Sequence, residues 1–414
     1  MDRKQVEHCL GQDHIAEIRR AARALDGVVR PTPLIRSDYY SGEYGCEVFI
    51  KPEQLQVTGS FKIRGAYNKI ANLEESERAK GVIASSAGNH AQGVALSARR
   101  MGCPATIVMP NITPLLKVNA TKAYGADVIL AGDVYDESYN RAVEIAEREG
   151  MVFVHPFDDY DVICGQGTIA LEILAELPDA DEILVPIGGG GLISGIALAA
   201  KAINPKVKII GVVPKGAGSM KISLAEGRVS RLAEVKTAAE GVAVKQPGDL
   251  TFEIARSHVD DIVTVSEKDI MESVLLIIEK HKFIAETAGV VPIAGLKKRA
   301  KGGRNKKIVC VMSGGNIDTV TLSSIINQGM ISRGRIMCFS VELPDRPGQL
   351  VAVATLLANL GANVIELEHN QFKAVDRYSD KVALEVTVET NGPEHIREIL
   401  TELEDEGYTV ARIY

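Results

Sequence analysis

A large α/β domain on mostly parallel sheet, followed by a small α+β domain, is the fold class that three observations predict. From about residue 80, short continuous Val/Ile runs alternate with helical patterns, as expected when helices cover both faces of a parallel sheet. Gly- or Ser-rich turns follow several of these runs, at the carboxyl ends of strands where α/β sheets bind ligands. After about residue 330 the order becomes strand, helix, strand, strand, helix, strand, which is ferredoxin-like. A length of 414 residues suits two or three domains. Its 46% hydrophobic and 24% charged content are those of a globular chain able to bury large cores.

In chain order, "CEVFIKPE" (46–53) reads as a short strand and "FKIRGAYNKIANL" as a helix with Ser60 at its N-cap, so Lys62 falls in the first helical turn. The runs "GVIASS", "PATIVMP", "ADVILAG", "MVFVHPF", "DEILVPIGGGG", "VKIIGVVP", "DDIVTVS" and "KKIVCVMSGGN" read as strands. The stretches "AQGVALSARRMG", "LISGIALAAKAI" and "NIDTVTLSSIINQG" read as helices between them. "SRGR" (332–335) reads as a linker. In the tail, Val382, Leu384, Val386 and Val388 alternate on one strand face. Leu350, Val353, Leu357 and Leu360 recur on one helix, and Ile396, Ile399, Leu400 and Leu403 on another.

Lys plus Arg number 47 against 54 Asp plus Glu, a net charge of -7, which argues against nucleic acid and anionic membrane as partners. The basic run "LKKRAKGGRNKK" (296–307) reads as a helix C-terminus and loop carrying dipole-matching cations. Six scattered cysteines without a CxxC pair read as reduced thiols. No apolar leader and no run of about 18 apolar residues occur, so a cytoplasmic protein with no membrane partner is expected.

The chemistry starts from Lys62. A helix N-terminus carries about half a positive charge and disfavours an ammonium there. A lysine whose charged form is disfavoured offers a neutral amine for Schiff-base chemistry. Four glycines, Gly188 to Gly191, lie between a strand and a helix, where free N–H groups can hold a phosphate or tight packing can require glycine. Neither GxGxxG nor GxxxxGK[ST] is met in register, so dinucleotide and P-loop readings lose their fingerprint. "SSAGNHAQG" and "SGGN" add neutral polar side chains on separate turns. Together these pieces suit an aldehyde cofactor bearing a phosphate, namely pyridoxal 5'-phosphate.

The motifs "TGSFKIRGAYN", "SSAGNHAQG", "GGGGL" and "SGGN" resemble the fold-type II pyridoxal-phosphate enzymes, specifically the threonine/serine dehydratases, over roughly residues 5–330. The tail "SVELPDRPGQLVAVATLLANLGANVIELEHN" resembles an ACT domain. The resemblance implies a two-lobed catalytic domain over 1–330 with a small lobe at about 46–150, a linker at 331–335 and an ACT regulatory domain at 336–414. It implies that Lys62 bonds the cofactor aldehyde and then acts as base at Cα, and that Phe61 packs by the ring. Asn89 would meet the ring hydroxyl, Gly188, Gly189, Gly190, Gly191 and Leu192 the phosphate, and Ser313 the pyridine nitrogen. Ser86, Asn89 and His90 would take the substrate carboxylate. The cofactor phosphate would help the hydroxyl leave. The hydroxyl of Ser313 makes the ring a weaker electron sink than a carboxylate partner would, favouring elimination.

The expected reaction is deamination of L-threonine to 2-oxobutanoate and ammonia, with L-serine to pyruvate as side activity. Serine racemase relatives carry serine where this chain has Ala87, and a divalent-metal site where "VVPKGAGSM" has no acid between Val213 and Ser219; no metal is expected. Cysteine synthases show "GSVKDR" where this chain has "GSFKIR", and a non-catalytic sensor would not need Lys62. Within the resemblance, a homo-oligomer (dimer or tetramer) is expected. A branched-chain amino acid, isoleucine or valine, is the expected effector at Asp345, Arg346, Pro347 and Gly348.

Overall fold

The computed structural model describes residues 3–299, 306–369 and 381–414, which fall into two compact units, Met1–Ile317 and Asp318–Tyr414. The strands of the first unit are Ile35–Arg36 (β1), Glu47–Pro52 (β2), Val82–Ser85 (β3), Ala105–Met109 (β4), Asp127–Leu130 (β5), Val152–Phe153 (β6), Glu182–Pro186 (β7), Lys208–Pro214 (β8), Asp261–Val265 (β9) and Lys307–Met312 (β10). Among the described residues they form two sheets, ordered β1-β2-β10-β7-β8-β9 and β5-β4-β3-β6. The pairings are parallel except for β1 with β2. Ile183, Leu184 and Val185 are all fully buried, because helices cover both faces of the larger sheet; hence the continuous apolar runs.

The small lobe does not follow the expected bounds of 46–150. β2 registers against β10 from Glu47 opposite Lys307 to Pro52 opposite Met312, so it belongs to the larger sheet. β6, at 152–153, closes the smaller one on β3. The partner of β2 lies at the far end of the unit, and although its own run reads as a strand, no local pattern announces the pairing.

A helix that the apolar periodicity did not reveal, Tyr160–Glu176, joins the two sheets' surroundings. A Cβ on its Gly165 would lie 2.5 Å from the carbonyl oxygen of Arg64, in the helix Lys62–Ala71. One on Gly195, in the helix Gly191–Ile203, would lie 2.3 Å from the carbonyl oxygen of Ile163. Glycine thus lets the helix of Lys62 and the helix of the glycine loop press against one central helix at backbone contact. The basic run is described as far as Arg299, where Lys297, Lys298 and Arg299 close the helix Val291–Arg299; its residues 300–305 lie outside the described residues.

The second unit opens with the helix Thr319–Ser332, which packs on the strand Ile336–Pro344 (β11). The expected linker at 331–335 is shorter: the helix runs to Ser332 and the turn is made at Gly334, whose φ of 65° favours glycine. Asn363–His369 (β12), Lys381–Glu389 (β13) and Thr409–Arg412 (β14) complete an antiparallel sheet of order β12-β13-β11-β14. Helices Gln349–Asn359 and Pro393–Asp405 cover one face. Val353, Leu357, Ile396, Ile399 and Leu403 meet Val382, Leu384, Val386 and Val388 in the core, while Leu400 and Leu360 pack at its edge. Leu350 stays exposed. No helix of the described residues is long and apolar enough to cross a membrane.

Candidate active site

Four turns leave the carboxyl ends of β2, β3, β7 and β10, and two of them are laced together by backbone. Phe61 N–H donates to the Ser313 carbonyl (3.1 Å), Gly315 N–H donates to the Gly59 carbonyl (2.9 Å), and Ser60 bridges Gly314. Ser60 is therefore not the N-cap expected for it. Phe61 is already helical (φ -58°, ψ -20°) and stands at the cap without a side-chain bond, because Ser60 is held in extended pairing to the β10 turn. Lys62 opens the helix Lys62–Ala71.

Lys62 Nζ donates to the carbonyl of Pro156 at 2.6 Å and lies 5.2 Å from the centroid of Phe61. Burial lowers its pKa from the ordinary 10.5 to about 8, opposed by the carboxyl of Glu286. Desolvation is thus the largest cause, in place of the expected helix-end charge. Burial, with the charge of Lys62 next, also drives His90 and His155 down to about 3, so both stay neutral. His155 Nδ1 accepts from the backbone N–H groups of Phe157 (3.3 Å) and Asp158 (2.8 Å).

The helix Asn89–Arg100 brings Asn89 and His90 from the turn after β3. His90 Nε2 lies 2.9 Å from the Val154 carbonyl, an acceptor only, so the proton sits on Nε2 and Nδ1 is left as a buried acceptor. The His90 imidazole is thus turned to Val154, and the residue faces the turn after β3 through its backbone N–H at the helix start. Ser86 Oγ accepts from the Gly88 N–H at 3.2 Å. Asn89 Nδ2 donates to Glu286 Oε1 and Asn316 Nδ2 donates to Asn89 Oδ1, each at 2.7 Å.

Glu286 was not foreseen from the sequence. Its N–H bonds the Gly314 carbonyl at 3.1 Å, and burial raises its carboxyl from 4.5 to about 7. The signal available was "AETAG", an acid in an otherwise small and apolar stretch. Arg64 was also missed. It is fully buried, pairs by two nitrogens with the fully buried Glu53 at 2.8 Å each, and reaches Glu172 at 2.6 Å. Lys51, equally buried, bonds Glu172 and the Thr32 carbonyl. Two cations against two carboxylates thus neutralise a cluster that takes in Arg64 of the first turn of the Lys62 helix.

At the glycine loop, a Cβ on Gly189 would lie 2.3 Å from the ring of Phe157 and one on Gly190 2.7 Å from Met220 Cε; Gly190 also adopts φ 101°. Both roles weighed for the glycines are thereby compatible: one side packs tightly while the backbone N–H groups of Gly191 and Leu192 open a helix with no intrahelical partner. Thr58 Oγ1, Ser60 Oγ, Ser85 Oγ and His90 Nδ1, on the turns that end β2 and β3, are buried without a hydrogen-bond partner. Native proteins seldom leave such atoms unmet. A lowered-pKa amine, an anion-binding helix start and unmet polar atoms fit a polar cofactor with an aldehyde and a phosphate. Ser313, at the end of β10, is buried. Among the described residues no group of three or more His, Cys, Asp or Glu side chains could hold a metal. All six cysteines are free thiols.

The loop Asp345–Gly348 lies in the second unit, between β11 and the helix Gln349–Asn359, with Gly348 at the cap in φ 95°.

A family model described as pyridoxal-phosphate dependent enzyme matches residues 25–314. A protein of Thermotoga maritima named L-threonine ammonia-lyase is 48% identical over 399 residues, covering 96% of this chain and 98% of its own. The solved processed form of threonine deaminase isoform 2 from Solanum lycopersicum superposes with a TM-score of 0.75 at 40% identity, covering 80% of this chain and 90% of its own. Maize serine racemase follows at 0.72 and 37%, covering 77% and 98%.

Proposed function

The chain belongs to the pyridoxal-phosphate dependent enzyme family, and we propose that it is a threonine ammonia-lyase, deaminating L-threonine to 2-oxobutanoate and ammonia, with L-serine to pyruvate as a side activity. The observation that carries this is the amine of Lys62, lowered to about 8 by burial, next to Phe61, whose N–H is tied to Ser313 in the turn after β10. Relatives named for the same reaction agree with it.

When bound, pyridoxal phosphate supplies the electron sink for charge developing at the substrate Cα. Lys62 would anchor the cofactor aldehyde and would accept the α-proton, a task that a pKa near ambient pH suits. Gly188, Gly189, Gly190, Gly191 and Leu192 would hold the phosphate, Phe61 would pack by the ring, Asn89 would meet the ring hydroxyl and Ser313 the ring nitrogen. Being uncharged, Ser313 would not hold that nitrogen protonated, which would favour prompt loss of the β-hydroxyl. The N–H groups of Asn89 and His90 and the hydroxyl of Ser86 hold the substrate carboxylate. Ala87 packs against the small-lobe core and offers no acid or base on the substrate's other face, which speaks against racemisation.

Lys62→Ala should lose the visible band of the bound cofactor and at least about 10³-fold in 2-oxobutanoate formation. A variant that kept both would overturn the reading. Residues 1–330 carry catalysis in this reading. Residues 336–414 form an ACT-type regulatory domain that takes isoleucine or valine at Asp345, Arg346, Pro347 and Gly348 and supports a homo-oligomer. The support is the helix start at Gly348, whose N–H groups suit a carboxylate.

A further inference from the structure

Asn89 has two neighbours that settle which end of its amide is which. Asn316 Nδ2 donates to the Thr58 carbonyl at 2.7 Å, and a carbonyl can only accept. The amide nitrogen of Asn316 must therefore face Thr58, and the same nitrogen donates to Asn89 Oδ1. The other end of Asn89, Nδ2, then faces Glu286 Oε1. Two glycines make room for this line of groups: a Cβ on Gly59 would lie 2.3 Å from Asn316 Oδ1, and one on Gly314 2.3 Å from Glu286 Oε1. The order Thr58 carbonyl, Asn316, Asn89, Glu286 thus has a single consistent sense of donation.

We propose that Asn316 and Glu286 are positioning residues that lock the Asn89 amide, so that its second Nδ2 N–H is offered as a donor to the cofactor's ring oxygen and favours the ionised oxygen. This rests on the reading that pyridoxal phosphate occupies this site. Hydrogen bonding to the charged form of a group lowers its pKa, so a locked donor tunes the cofactor's colour as well as its grip. The lock depends on Glu286 accepting, and its carboxyl lies in the field of Lys62, Lys117 and Glu240, with burial the largest influence on it. Lys117 and Glu240 pair at 2.9 Å, so their charges largely offset one another at Glu286. Once protonated, Glu286 offers a donor in place of an acceptor and the sense of the relay is lost at that end.

The test is a pH titration of the visible band of the cofactor-loaded enzyme, with cofactor affinity measured alongside. Asn316→Asp cannot donate to Asn89, and Glu286→Leu cannot accept from it. Each should raise the midpoint of the band's titration by about one pH unit and weaken cofactor binding about tenfold. Glu286→Gln keeps an acceptor and should restore the wild-type midpoint and affinity. Unchanged midpoints in Asn316→Asp and Glu286→Leu would overturn the proposal, as would a Glu286→Gln protein that behaves like Glu286→Leu. If one variant fails to fold, the other still decides through its own arm of the relay. A wild-type protein with no Lys62-dependent band would sink the cofactor reading instead, a distinguishable result.

Discussion

At Lys62, burial outweighs the pull of Glu286 and leaves the amine near pKa 8. A lowered lysine pKa means the protonated, unreactive form dominates below about 8 and the nucleophilic form above it. The rate at which cofactor-free protein forms the visible band should therefore rise with pH through a midpoint near 8, well below the 10.5 of an ordinary lysine. Stopped-flow absorbance across pH 6–11 checks this (about five units, spanning both limits), and a midpoint at the ordinary value would mean that Lys62 is solvated. Arg64, two residues on in the same helix, is fully buried against Glu53 and Glu172. Arg64→Leu strands the buried carboxylate of Glu53, and breaking one side of a buried ion pair costs about 3–5 kcal/mol. Denaturant unfolding of wild type and variant would measure that loss.

Among the elements, the helix Tyr160–Glu176 carries the geometry of the site. Through Gly165 it touches the helix of Lys62, and through the neighbourhood of Gly167 it touches the helix of the glycine loop, where a Cβ on Gly167 would lie 2.9 Å from the Gly195 carbonyl. Gly165→Ala forces the two backbones apart. It should cost about 1–3 kcal/mol and, by shifting Lys62 against the phosphate-binding N–H groups, weaken cofactor binding as well. Thermal unfolding and cofactor titration of the same variant give both numbers; loss of stability with unchanged affinity would show that the helix merely fills space.

For the whole molecule, each unit closes its own core, so the chain after Arg335 should be separable from cofactor chemistry. Truncation there should leave the visible band intact and abolish any response of turnover to isoleucine or valine. An equal response in the truncated and full-length enzymes would rule out the tail as sensor. The helix Thr319–Ser332 stays in such a truncation although it packs on β11, so a second cut after Ile317, at the compact-unit boundary, gives the cleaner catalytic piece.

The sequence by itself determined the α/β grammar, the four turns, Lys62 and the ferredoxin-like tail, because these are written in local signals. Strand burial shows as continuous Val/Ile runs, turn geometry as glycine, and the alternation of Val382 to Val388 as period two. What only the tertiary structure decided depends on partners distant in sequence. β2 pairs with β10 rather than with the small sheet, Ser60 is drawn out of the helix cap by Gly314, and the His90 imidazole is turned to Val154. Glu286, Asn316 and Asn89 meet across about two hundred residues. The physical reason is that a side chain's pKa and bonding state follow from what buries it, and burial is set by packing between segments that no local window contains.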